Sequence, residues 1–191
     1  MKESFVLAAK LFIITAVSAL ILSLVNSVTE PVIAQRELEE YNRSLAEVYP
    51  DADDFETIGE DEVGLLQEKD EQIEDVVKAK QGENTIGWVV KANGKGGYGG
   101  SVEIVVGVNQ DKEIVGYKIL KSQETPGIGD KIGEEEFIHH IIGTSVENEV
   151  IAVKQPSAEN EIMTISGATY SSNAVLNGIN ATVNALTEVM P

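Results

Sequence analysis

Residues 102–121 read VEIVVGVNQDKEIVGYKILK. Two runs dominated by β-branched residues, Val102–Val108 and Ile114–Lys121, flank the polar turn Asn109-Gln110-Asp111-Lys112, the pattern of an antiparallel hairpin. A second hairpin precedes it. Ile73–Lys80 and Thr85–Ala92, both rich in valine, are separated by a turn at residues 81–84. Strands joined by short turns build a meandering sheet rather than regular βαβ units. Downstream, Glu134–Ile142 predicts a helix, and Ile151–Val153 and Glu161–Ile165 predict short strands. Asn173–Met190 predicts a closing helix whose buried stripe is Val175, Leu176, Ile179, Val183, Leu186 and Met190. The expected class is α+β: one N-terminal transmembrane helix, then a mixed, hairpin-rich sheet domain with packed helices.

The run Leu11–Thr29 carries no charge and rises about 28 Å as a helix, close to the hydrocarbon thickness of a bilayer. Lys2 and Lys10 precede it, and every acidic residue except Glu3 follows it. Positive charge stays on the cytoplasmic side, so a single-pass cell-membrane anchor is expected, with the N-terminus cytoplasmic and the C-terminal domain outside. The competing reading is a cleaved signal peptide, but Val32-Ile33-Ala34 is a poor small-residue cleavage site. Gln35–Tyr49 predicts a short connecting helix ending before Pro50, and the acidic stretch Asp51–Glu62 predicts a solvated, mobile surface. The expected organisation is a cytoplasmic N-terminus and anchor over residues 1–34, a connecting helix and acidic linker over 35–71, and an extracytoplasmic domain over 72–191.

A net charge of −18 repels phosphate backbones and argues against nucleic-acid partners. The chain has no cysteine, which excludes disulfides, thiolate zinc sites and cysteine-ligated clusters. Adjacent histidines His139 and His140 would diverge by about 100° on a helix and so read as surface residues rather than metal ligands; no metal site is expected. Gly94-x-Gly96-x-x-Gly99 fits a dinucleotide fingerprint formally, but it lies between two strands instead of opening a helix, and is rejected as such. Trp88 and Tyr98 are candidate contacts for a planar aromatic cofactor, but a lone Trp in a valine-rich strand reads as core, and neither is taken as a site residue.

Chemistry concentrates in Ser166-Gly167-Ala168-Thr169, followed by Tyr170-Ser171-Ser172-Asn173 at the start of the last helix. Free backbone N–H groups and the positive end of the macrodipole favour phosphate at such a place, and small residues let a ligand approach. Ordinary N-capping by Ser166, Thr169 or Ser171 accounts for the same residues. The stretch is similar to the flavinylation motif of the FMN-binding domain family, in which the threonine is esterified by FMN phosphate. Glu124-Thr125-Pro126-Gly127-Ile128-Gly129 resembles a second family segment that borders the flavin, and Gly97-Tyr98-Gly99-Gly100 a third, a turn before a strand. Met163 stands where many members carry an acidic residue.

The resemblance implies covalent FMN on Thr169, with Ser166, Gly167, Ala168, Glu124, Thr125, Pro126 and Gly127 as further cofactor-binding residues and no catalytic residue. Members include the G subunit of the Rnf ion-translocating electron-transport complex and the C subunit of the sodium-pumping NADH:quinone reductase, and the compact length favours the Rnf type. The implied function is an electron-relay subunit in a membrane complex coupling ferredoxin:NAD+ electron transfer to ion translocation. Such a subunit is part of a translocase and not catalytic alone. The implied partners are the complex's other membrane and redox subunits, with a flavin transferase for maturation. The alternatives are an FMN carrier of another membrane reductase and a non-redox anchored binding module.

Overall fold

A computed structural model describes residues 2–189. The chain divides into two compact units, Met1–Tyr41 and Asn42–Pro191. A helix, α1 (Lys2–Val48), runs through the first unit and ends in the second. The expected span and connecting helix are therefore one element. Pro31 lies inside it, where it removes one backbone donor without breaking the helix. Its apolar stretch is long enough to cross a membrane, with its side chains exposed.

In the second unit, β1 (Asp54–Thr57), β2 (Ile73–Gln81), β3 (Asn84–Gly94), β4 (Val102–Asn109) and β5 (Ile114–Lys121) form an antiparallel sheet in sequence order. Both expected hairpins are present, and Lys112 takes the left-handed conformation (φ 60°) in the second turn. The acidic stretch lies mostly at the surface, as expected, but it also carries regular structure. It supplies edge strand β1, whose Glu56 pairs with Lys80, and the first turn of α2 (Glu60–Lys69). Three acidic residues at that helix start suit its dipole, while Ile58 and Leu66 bury into the core.

One sheet face, carrying Val76, Val90, Val106 and Tyr117 in register, packs in the main core with α4 (Thr169–Val189). The expected stripe Val175, Leu176, Ile179, Val183 and Leu186 is buried there; Met190 lies outside the described residues. Trp88 is in this core, as read. The opposite face receives the end of α1: Val48 sits over Gly107 and Gly116, and the Tyr49 hydroxyl donates to the Ile86 carbonyl at 2.7 Å. A Cβ on Gly116 would collide with the Val48 carbonyl, so glycine sets how closely the helix end approaches. A 3-10 turn (Gly129–Gly133), α3 (Glu135–Ile141) and the parallel pair β6 (Ile151–Val153) and β7 (Glu161–Met163) close the end of the unit from which α4 departs.

Candidate functional site

The stretch 165–172 is a turn that feeds α4. Ala168 N–H donates to the Ile165 carbonyl at 3.1 Å, and Gly167 between them has φ 83°, a conformation that excludes most side chains. Ser172 locks the turn: its Oγ accepts from Ile165 N–H and donates to the Ala168 carbonyl, both at 3.1 Å. The first backbone bond of the helix is Ser172 N–H to Ala168, so the N–H groups of Thr169, Tyr170 and Ser171 have no partner within the helix. Capping by Ser166, Thr169 or Ser171 is not what holds this turn. Thr169 is exposed on the first residue of α4, and among the described residues its hydroxyl makes no hydrogen bond.

Glu124 ties three distant segments together. It is buried, accepts from Ser171 Oγ at 2.8 Å and from Gly99 N–H at 3.1 Å, and its own N–H donates to Ser122 Oγ at 3.2 Å. The next residues fold into a compact turn in which the Thr125 carbonyl accepts from Ile128 and Gly129 at 3.1 and 2.9 Å. Gly99 lies so close to this segment that a Cβ would strike the Gln123 carbonyl. The glycines that mimic a dinucleotide fingerprint thus include one that lets the Gly97–Gly100 turn lie against the Glu124 segment. Thr125, Pro126 and Gly127 are exposed on its outer side.

Two cavities flank the Ser166–Thr169 turn and share Gly167 as a wall. The first, about 640 Å³, is bordered by Ser166 and Thr169 together with Lys131, His140 and Lys154. The second, about 290 Å³, is bordered by Ala168, Glu124, Thr125, Tyr98, Ile128 and Tyr170. Of the residues singled out from the sequence, Ser166, Gly167, Ala168, Thr169, Glu124 and Thr125 line one or both cavities. Pro126 and Gly127 belong to the turn beside the second without being among its lining residues.

Several site residues escaped the sequence reading. Ser171 reads there only as one more hydroxyl, because its partner is 47 residues away. Lys131 and Lys154 carry no local motif. His139 is exposed as expected, but His140 is half-buried and borders the first cavity. Tyr170, exposed, borders the second, as does Tyr98, which the sequence had already offered as a candidate contact.

Residues 97–184 match the model of the FMN-binding domain. The chain is 34% identical over 192 residues to the G subunit of the Na+-translocating ferredoxin:NAD+ oxidoreductase complex of Acetobacterium woodii, covering 95% of this chain and 91% of that protein. It is 29% identical to the G subunit of the proton-translocating ferredoxin:NAD+ oxidoreductase complex of Clostridium ljungdahlii, with coverage of 96% and 91%. Among solved structures, the crystal structure of Shewanella oneidensis NqrC superposes with a TM-score of 0.50 at 21% identity, over 59% of this chain and 57% of that one. That likeness concerns the fold.

Proposed function

The chain belongs to the family of G subunits of ion-translocating oxidoreductase complexes, and from that membership we propose that it is a membrane-anchored electron-relay subunit whose FMN is esterified to Thr169. The observation that carries this reading is the hydroxyl of Thr169, unpartnered, on the first residue of a 21-residue helix and at the wall of a cavity.

The residues present fit the group. Free N–H groups at the start of α4 suit a phosphate, the first cavity offers Lys131 and Lys154 alongside Glu134 and Glu136, and Gly167, with open space where a Cβ would stand, lets a ligand approach the turn. Bound FMN supplies exchange of one or two electrons at its ring, which suits a relay between other carriers. The protein's share is to hold and orient. Thr169 retains the cofactor through its remote phosphate end. Ser172 fixes the turn that presents Thr169, and Glu124 fixes the neighbouring wall through Ser171 and Gly99.

The partners are the other subunits of the complex, with a flavin transferase forming the ester. Lys2 and Lys10 before the apolar stretch support an orientation with the sheet domain outside the cytoplasm. Co-expression with a flavin transferase tests the attachment: intact mass should rise by one esterified FMN, and an unmodified chain would overturn it. Protease applied to intact cells tests orientation, since a tag after Pro191 that becomes cleavable only on lysis, in cells without an outer membrane, would reverse it.

A further inference from the structure

An enzyme that esterifies Thr169 has to bring a flavin phosphate to its hydroxyl through open space. Thr169 borders the first cavity and is not among the lining residues of the second, so the approach runs through the first. Of the acceptor turn itself the folded chain offers little to read. Ser166, Gly167, Thr169 and Tyr170 are exposed, whereas Ala168, Ser171 and Ser172 are buried. The turn is closed by the chain's own bonds, Ala168 to Ile165 and the two made by the Ser172 hydroxyl.

The rest of the cavity wall comes from other elements. Lys131 lies in the 3-10 turn, Glu134 and Glu136 at the start of α3, and Lys154 directly after β6, and all four are exposed. Elsewhere in the second unit lysines are engaged: Lys69, Lys80, Lys91, Lys95 and Lys118 each hold a glutamate. Among the described residues, Lys131, Lys154, Glu134 and Glu136 make no ion pair. Four charges of both signs that border one cavity without pairing are free to be matched by the charges of a partner, and matched charges fix register and reject wrong partners.

Resting on the assignment of Thr169 above, we infer that the first cavity is the surface on which the flavin transferase docks, and that Lys131, Lys154, Glu134 and Glu136 select the enzyme by charge. The enzyme then reads the folded domain and not the Ser166–Thr169 segment alone. In the step this docking serves, Thr169 Oγ1 bonds to the flavin-bearing phosphorus of a phosphoanhydride donor. The P–O bond to the donor's other phosphate breaks, that phosphate departs as the leaving group, and the hydroxyl proton passes to a base of the enzyme. No electron is exchanged. The four charged residues take no part in the bond change; they are positioning residues that act through the docked enzyme.

The test uses the full chain, expressed without a transferase, purified in detergent and incubated with the enzyme and flavin adenine dinucleotide as donor. The initial rate of mass gain by one FMN is read against chain concentration. Lys154→Glu and Glu136→Lys reverse one cavity charge of each sign, while Glu68→Lys, exposed on α2, reports the effect of net charge alone. Docking by matched charges raises KM severalfold in both cavity variants, leaves kcat unchanged and leaves Glu68→Lys like the parent. Added salt, which screens exposed charges, raises the parent's KM toward theirs. Equal KM in all chains, or a fall confined to kcat, overturns the inference and leaves the enzyme reading the motif alone. KM shifts of opposite sign in Lys154→Glu and Glu136→Lys overturn it too, since they report only the long-range field. A parent that gains no mass fails the Thr169 assignment and this inference with it. If a cavity variant lowers the urea midpoint, Lys131→Glu or Glu134→Gln takes its place under the same criterion.

Discussion

The Ser171 hydroxyl donates a 2.8 Å hydrogen bond to Glu124 Oε2, joining the first turn of α4 to a turn 47 residues earlier, and both side chains are buried. Hydrogen bonds to a charged group are stronger than neutral ones, and a buried acceptor that loses its donor keeps the desolvation cost. Ser171→Ala is therefore expected to destabilise the sheet domain by about 2 kcal/mol, read as a lower urea midpoint with unchanged slope. Ser171→Thr, which restores a hydroxyl, should recover part of the loss. A midpoint unmoved in Ser171→Ala would mean the bond holds nothing.

The sheet was legible in the sequence because its signals are local. Alternation and β-branching in 73–92 and 102–121 mark strands wherever they lie, and the turns between them are polar. Edge strand β1 was not legible, because Asp54–Thr57 is only four residues long, its Asp54 and Glu56 disfavour a strand as much as Phe55 and Thr57 favour one, and its form depends on pairing with β2. The seating of Val48 and Tyr49 on the sheet is equally invisible along the chain: it depends on Gly107 and Gly116 meeting across two strands. The same division holds at the candidate site. Ser166–Thr169 and Glu124–Gly127 could be picked out as motifs, whereas Lys131 and Lys154 join them only through the fold.

Gly127 has φ 75° with open space around its missing Cβ, so a substitution there is opposed by the backbone and not by crowding. A β-branched residue in the left-handed region costs on the order of 1–3 kcal/mol, enough to remodel the turn that carries Ile128. Gly127→Val should keep the mass of one FMN and shift the flavin midpoint potential in a spectroelectrochemical titration. An unchanged potential would remove this turn from the flavin's surroundings.

Glu161 Oε2 accepts from Ser157 N–H at 2.7 Å, Ser157 Oγ at 3.0 Å and Ala158 N–H at 3.3 Å. The backbone bond from Ser157, then its hydroxyl, lower the Glu161 pKa below the ordinary carboxylate range. A depressed carboxylate contributes its stability above the unfolded pKa, about 4.3, and loses it as pH falls through the folded value. Amide protection at Ser157 and Ala158 should thus hold at neutral pH and fall on acidification below about pH 4, and Glu161→Ala should show the loss already at neutrality. Hydrogen exchange by NMR measures this. Protection that is the same at every pH in the parent would separate the loop from Glu161.

Thr169 can be tested against its own neighbours, because the turn offers four aliphatic hydroxyls, those of Ser166, Thr169, Ser171 and Ser172, in different situations. Ser172 is committed to the turn and Ser171 to Glu124, so their oxygens are engaged and buried. Ser166 and Thr169 are exposed and border the same cavity, but only Thr169 stands on the helix, where the free N–H groups and the dipole favour a phosphate. Thr169→Val keeps the branched shape and removes the nucleophilic oxygen, at a small cost at this exposed position. The variant should keep the parent's unfolding free energy, read from urea titration, within about 0.5 kcal/mol. Co-expressed with a flavin transferase, it should show neither in-gel flavin fluorescence nor the added mass. Ser166→Ala, treated alike, should still carry one FMN. FMN retained in Thr169→Val and lost in Ser166→Ala would move the ester to Ser166, and retention in both would deny either hydroxyl the role of sole acceptor.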